Sequence, residues 1–137
     1  MAYGICLYKN EKYSTKVLMC KSILSKNRWG FLKGVQDKDE TNEQTAIREF
    51  HEECGILVEK EYLEKMFLQE NETKDIGIYL VNYDNISKVE RFFENEKLYQ
   101  RFLSWENNQV QFFDISQLPK IKTKQQELTE KIIKYFK

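Results

Sequence analysis

Proline is almost missing from this chain, with one in 137 residues, and glycine is scarce, with five. Nothing therefore marks a linker, no internal repeat is visible, and residues 1–137 are expected to form one domain long enough to bury a core without cross-links. Cysteine is also sparse. Cys6, Cys20 and Cys54 are odd in number, far apart and form no Cys-x-x-Cys pair, which argues against a disulfide framework and against a thiolate zinc site and predicts buried, reduced thiols. Net charge is absent, because 22 Lys+Arg balance 22 Asp+Glu, so the global field favours neither nucleic acid nor a membrane surface. No apolar run approaches the length needed to span a bilayer, and the start, MAYGICLYKNEKYSTK, lacks the charged-then-apolar order of a signal peptide. These absences predict a soluble cytoplasmic protein. What is present in quantity, 41% hydrophobic and 32% charged residues, is the composition of a globular chain.

Local patterning predicts the elements. Tyr3 to Tyr8 and Val17 to Lys21 are β-prone and flank the polar KNEKYST, the pattern of a hairpin, and a third short strand is expected over Arg28 to Leu32. From Thr41 the period changes: Ala46, Ile47, Phe50 and Cys54 recur at helical spacing. Thr41 with Gln44 can form a capping box and Gly55 stands where a helix stops, which predicts a helix over 42–54. Strands are expected over Tyr62 to Leu68 and Ile76 to Tyr83, with the intervening polar segment as their turn. Asp84 to Asn108 reads as a loop with a short helix, and Val110, Phe112 and Phe113 mark another strand. Leu128, Ile132 and Phe136 predict a terminal helix, capped by Thr123 and Gln126.

The chemistry lies between Gly34 and Ile56, in GVQDKDETNEQTAIREFHEECGI. Glu49, Glu52 and Glu53 stand at i, i+3 and i+4, so their carboxylates share one helix face and repel one another. Most acidic helix faces are merely solvated, but such a cluster of hard oxygen donors also suits Mg²⁺ or Mn²⁺, with water and phosphate oxygens completing the shell. Here the flanking residues decide. Gly34, five residues, Glu40, seven residues, Arg48, Glu49, Phe50, one residue, Glu52, Glu53, one residue, Gly55 and Ile56 form a pattern without a departure from the Nudix box. A chance match has odds of about one in ten million if each fixed residue occurs at roughly one position in fifteen.

The resemblance implies the Nudix α/β/α sandwich, with a mixed sheet and the box as loop-helix-loop. It implies that Glu49, Glu52, Glu53 and the Gly34 carbonyl hold divalent metal while a glutamate accepts the proton of an attacking water. Arg48 would orient Glu49 and Glu40 by charge-assisted hydrogen bonds, Gly34 would allow a tight loop, and Phe50 and Ile56 would be core. The sole histidine, His51, lies off the metal face and is expected at the surface.

Outside the box, RWGFLKG resembles the segment that precedes it in the catalytic subunit of messenger RNA decapping enzymes, with Leu32 where proline is usual and Lys33 next to the phosphates. Glu106, followed by Val110, Phe112 and Phe113 and then Leu118 and Pro119, resembles the later part of the same domain, which implies that Glu106 is a metal ligand or the general base. The last 18 residues carry six Lys against two Glu, and by the same resemblance Lys122 and Lys124 would meet an RNA backbone, although an amphipathic helix presents such a face for solubility alone. Phe92, Phe93, Tyr99, Phe102 and Trp105 could stack on a base, but core packing is the default for each. The expected substrate is a nucleotide-linked diphosphate, with the 5′ cap of RNA first and a dinucleoside polyphosphate or inositol pyrophosphate as the alternative. A non-catalytic binding module normally shows a broken box, and this box is whole.

Overall fold

The computed structural model describes all 137 residues. Strands β1 (Ala2–Asn10) and β2 (Thr15–Ser22) form the expected antiparallel hairpin, with Tyr8 opposite Val17. The remaining strands are β3 (Leu32–Val35), β4 (Met66–Gln69), β5 (Ile76–Asn82), β6 (Phe93–Glu94), β7 (Lys97–Leu98) and β8 (Asn107–Asp114). They join in one sheet of order β4-β5-β1-β2-β8-β7-β6, with β3 paired to β1 off this path. The sheet is mixed, because β1 and β5 run parallel while the other pairs are antiparallel.

The side-chain period of two sorts each strand between two cores. Tyr3, Ile5 and Leu7 of β1 with Leu18 and Cys20 of β2 face one side, where they pack on Ala46, Phe50 and Cys54 of helix α1 (Asn42–Cys54). Ala2, Cys6 and Tyr8 with Val17 and Met19 face the other, against Leu128 and Ile132 of helix α2 (Gln126–Phe136). Helices thus cover opposite faces of the sheet, as the sandwich requires. All three cysteines are buried and free.

Helix α1 spans the predicted residues, and its capping box is formed: the Gln44 N–H donates to Thr41 Oγ1 at 3.1 Å and the Thr41 N–H donates to Gln44 Oε1 at 2.9 Å. Such a cap is worth about 1 kcal/mol, and it fixes where the helix starts relative to the glutamates. Gly55 closes the helix at φ 80°, in the left-handed region, with its N–H on the His51 carbonyl.

Four local expectations need correction, two because a distant side chain takes a backbone bond and two because local 3-10 turns form instead. The strand expected over 28–32 lies at Leu32–Val35 instead, since Trp29 and Gly30 make only single bridges and the Phe31 N–H donates to the Gln125 side chain at 2.8 Å. The strand expected from Tyr62 starts at Met66, after a 3-10 turn over Lys60–Tyr62. Between 84 and 108 there is no α-helix but a run of 3-10 turns and the small β6–β7 hairpin, whose tip residues Asn95 and Glu96 take positive φ. Neither Thr123 nor Gln126 caps α2; the Leu128 N–H is taken by Gln69 Oε1 at 2.9 Å, a buried side chain reaching over from β4.

Candidate active site

Helix α1 lies across β1 and β3, and its carboxylates line the flank of the stripe it buries. Glu49 and Glu53 are one turn apart beside Phe50, which draws both toward the sheet, whereas Glu52 points outward. Glu53 is 7% exposed, Glu49 is half-buried, and the Glu52 side chain is 54% exposed. His51 is exposed, as expected.

Arg48 organises this face. Its Nε and Nη2 donate to the two oxygens of Glu40 at 2.6 and 2.9 Å, a bidentate pair, and Nη1 donates to Glu49 Oε1 at 2.8 Å and to Glu52 Oε1 at 3.2 Å. Nη2 also donates to the Val35 carbonyl at 3.1 Å, so one guanidinium ties the end of β3, the loop before α1 and two box carboxylates together. Glu40 additionally accepts from the Asp37 N–H and the Thr45 hydroxyl. Its carboxyl is held down at about 2, first by the hydrogen bonds from Arg48. The Arg48 pair fits the orienting role that the sequence predicted, and its fork geometry is one that lysine could not supply.

Gly34 lies within β3 rather than in a loop, which corrects the expectation of a tight turn there. Its lack of a side chain still matters, because a Cβ at this position would fall on the Glu49 carboxyl group and displace it. The glycine is a space in the strand into which a carboxylate is folded.

Glu53 carries the strongest signal. Its Oε1 accepts from Asn107 Nδ2 at 3.1 Å, while Oε2 is buried without any hydrogen-bond partner. Burial, with the charges of Glu49 and Glu106 adding to it, pushes the Glu53 carboxyl up to about 8. Glu49 is raised as well, chiefly by burial and then by the Glu52 and Glu106 carboxylates, against the opposing bond from Arg48. Glu106 is exposed in the turn before β8, and its charge is felt by both Glu49 and Glu53. Asn107, the residue after Glu106, hydrogen-bonds Glu53, so the fold brings the chain at Glu106 next to the helix carboxylates although it lies 53 positions further along than Glu53.

Of the lysines, Lys33 is half-buried, and its ammonium is lowered by burial first and by the Lys122 charge second, with Glu53 pulling the other way. Lys33 therefore borders the acidic cluster, and the Lys122 charge reaches Lys33. Lys124 does not join them; its Nζ donates to Thr73 Oγ1 at 2.9 Å on the β4–β5 turn.

The NUDIX domain family matches residues 1–136. The chain belongs to the Nudix family, and it is a Nudix hydrolase. Solved Nudix structures share its fold at low identity. An Ap4A hydrolase from C. elegans, in a binary complex, is 20% identical with a TM-score of 0.66, over 98% of this chain and 96% of that one. MutT, from a study of Aliivibrio salmonicida and Vibrio cholerae, is 14% identical with a TM-score of 0.65, over 97% and 94%. The Nudix domain of Shewanella oneidensis NrtR, complexed with ADP ribose, is 16% identical with a TM-score of 0.61, over 99% and 87%. No curated protein matches the chain.

Nudix hydrolases generally use divalent ions such as Mg²⁺ or Mn²⁺. No three His, Cys, Asp or Glu side chains here converge into a ready-made cage, as mutual repulsion of like charges dictates. The donors nevertheless fit such an ion. A buried carboxylate oxygen without a partner costs about 1–3 kcal/mol or more when charged, and a hard cation is the group that relieves it. Sequence reasoning missed Asn107, which orients Glu53, because an Asn after Trp-Glu reads as an ordinary turn residue. It also missed that Trp105 is exposed rather than packed, whereas Phe92, Phe93 and Phe102 do pack on the core.

Proposed function

We propose that this Nudix hydrolase cleaves a phosphoanhydride bond in a small nucleoside-diphosphate-linked substrate of the dinucleoside polyphosphate class. The observation that carries the reaction is the unpartnered, buried Oε2 of Glu53, one turn from Glu49. In this reading Glu49, Glu52, Glu53 and the Gly34 carbonyl hold Mg²⁺ or Mn²⁺. When bound, the ion neutralises phosphate charge and makes water a better nucleophile. Glu106, open to solvent and making no side-chain hydrogen bond, takes the proton of the attacking water. Arg48 keeps Glu49 from swinging toward Glu53, and Asn107 fixes the Glu53 rotamer so that its free oxygen faces the cluster. Lys33 and Lys122 meet the phosphates. Lys33, already short of solvent, loses less hydration than a surface lysine on doing so.

A second reading, hydrolysis of the 5′ cap of RNA, is supported by the RWGFLKG segment and the placing of Glu106 before β8. It requires that RNA beyond the cap contribute to binding, and Lys124, turned onto Thr73, does not extend the Lys33–Lys122 pair in that direction. The experiment that separates them is a product analysis. Purified protein with Mg²⁺ or Mn²⁺ is offered diadenosine tetraphosphate, an inositol pyrophosphate and capped RNA. Preferred cleavage of the first is expected; preferred release of a guanosine diphosphate from capped RNA would overturn the small-molecule reading, and turnover unaffected by EDTA would overturn the metal site.

A further inference from the structure

Three large apolar side chains that would ordinarily be buried stand together at the surface: Leu24 is 90% exposed, Trp105 84% and Ile23 62%. The other tryptophan, Trp29, is buried and packs edge-on against Phe113. Ile23, Leu24 and Trp105, with Ser22 and Glu106, line a cleft of about 480 Å³. That size matches a nucleoside or a small ligand and is too small for a docked helix. The cleft is built, because its two walls are tied: the Ile23 N–H donates to the Glu106 carbonyl at 3.2 Å, and Ser22 pairs with Asn107 across β2 and β8. The register shift between Lys21 and Ser22 skips Asn108 of β8, an irregularity of the kind that re-aims side chains. Beyond it the Ser25 hydroxyl holds the Ser22 carbonyl and Lys26 and Asn27 take left-handed φ, which curls the loop back.

Glu106 lines this cleft, and the next residue, Asn107, donates to Glu53 at 3.1 Å, so the cleft adjoins the helix carboxylates. A ligand with its phosphates among Glu49, Glu53 and Glu106 would therefore lay its next flat, apolar part on Trp105. We propose that the cleft between Ile23–Leu24 and Trp105 is the nucleobase subsite of the enzyme, which takes the base by stacking on the indole, with little discrimination between bases. This rests on the reading of a nucleotide-linked substrate above. Stacking is the available interaction because Ser22 and Glu106 are the only polar residues of the lining, too few to read the edge of a base. An aliphatic ligand would use Ile23 and Leu24 equally well but gives no reason for a carboxylate at the cleft wall.

The test compares α,β-methylene-ADP with methylenediphosphonate, which share the diphosphonate and differ by the nucleoside, by calorimetric titration into the full chain with Mg²⁺. The adenosine compound is expected to bind more tightly to the wild type. Trp105→Ala should weaken it about tenfold or more while leaving methylenediphosphonate unchanged, and Trp105→Phe should restore most of the loss. The guanosine analogue should bind within a few-fold of the adenosine one. Trp105→Ala binding both compounds as wild type does would overturn the subsite, as would an equal loss for both. A Trp105→Ala chain that changes from dimer to monomer with unaltered affinity would assign the cleft to a second copy instead. Failure of the wild type to bind methylenediphosphonate strikes the phosphate site, and the subsite falls with it, so the two failures are distinguishable.

Discussion

At the scale of single residues, the box separates carboxylates by environment more than by identity. Glu53 is buried and half-satisfied, Glu49 is tied to Arg48, and Glu52 and Glu106 face water. Glu53→Gln keeps the shape and the bond to Asn107 while removing a ligand charge, and it should lower turnover about 100-fold or more. The same substitution has a signature in the metal-free protein. The folded state holds the Glu53 proton up to about 8, against an ordinary value of 4.5. Between those values the folded state binds more protons than the unfolded one, so stability contributed at Glu53 declines as pH rises through that window. Melting in EDTA at pH 6 and pH 9 should therefore show a steeper loss for the wild type than for Glu53→Gln, and Mg²⁺ should raise the wild-type melting temperature alone. A mutant that melts in parallel with wild type at both pH values would remove the buried-carboxylate argument. Glu106→Gln, at an exposed turn, should lower the rate more than tenfold with an unchanged melting temperature; a normal rate with altered stability would make Glu106 structural.

Among elements, α1 was legible to the residue because its signals are all local: a capping box, a stripe at helical spacing and a glycine stop. Strand β3 was displaced because the Gln125 side chain, from a distant element, takes the Phe31 N–H, and β4 starts late because a local 3-10 turn forms over Lys60–Tyr62. The carboxylate cluster was legible through spacing on one helix and through the family pattern. Asn107 and the Trp105 cleft were not, since nothing local distinguishes an exposed tryptophan from a packed one. The two glycines that bracket the box part company under the same substitution. Gly34→Ala places a methyl group on the Glu49 carboxyl, and Gly34 is not in the left-handed region, so the fold should hold while metal affinity and rate fall about 10- to 100-fold. Gly55→Ala forces a left-handed alanine against Phe102, and it should cost about 1 kcal/mol of stability with a near-normal rate. Metal titration and denaturant melts of the two variants read these apart, and a Gly34→Ala enzyme with full metal affinity would dismiss the crowding of Glu49.

For the whole molecule, the two helices on opposite faces of the sheet decide what the basic terminus can do. The acidic cluster lies on the α1 side, with Lys33 at its border. Helix α2 packs on the other face. There Lys131 donates to the Leu68 carbonyl at 2.9 Å and pairs with Glu127 at 3.2 Å, so its charge is already engaged at the edge strand β4. Lys134 lines the same shallow surface with Lys65 and Tyr135. A phosphate chain leaving the carboxylates would have to round the sheet to reach either lysine. Replacing Lys131 and Lys134 together with glutamine should thus leave the binding of capped RNA, and its dependence on salt, as in the wild type. Lys33→Met with Lys122→Gln retains most of the apolar packing and should weaken a diphosphate ligand and capped RNA alike, with a salt slope reduced by about one for each phosphate no longer neutralised. Affinities measured between low and moderate salt supply both slopes. A flattened slope for capped RNA in the Lys131 and Lys134 variant, with the short ligand unaffected, would mean that RNA wraps onto α2, and the cap would then displace the dinucleoside polyphosphate as the substrate of choice.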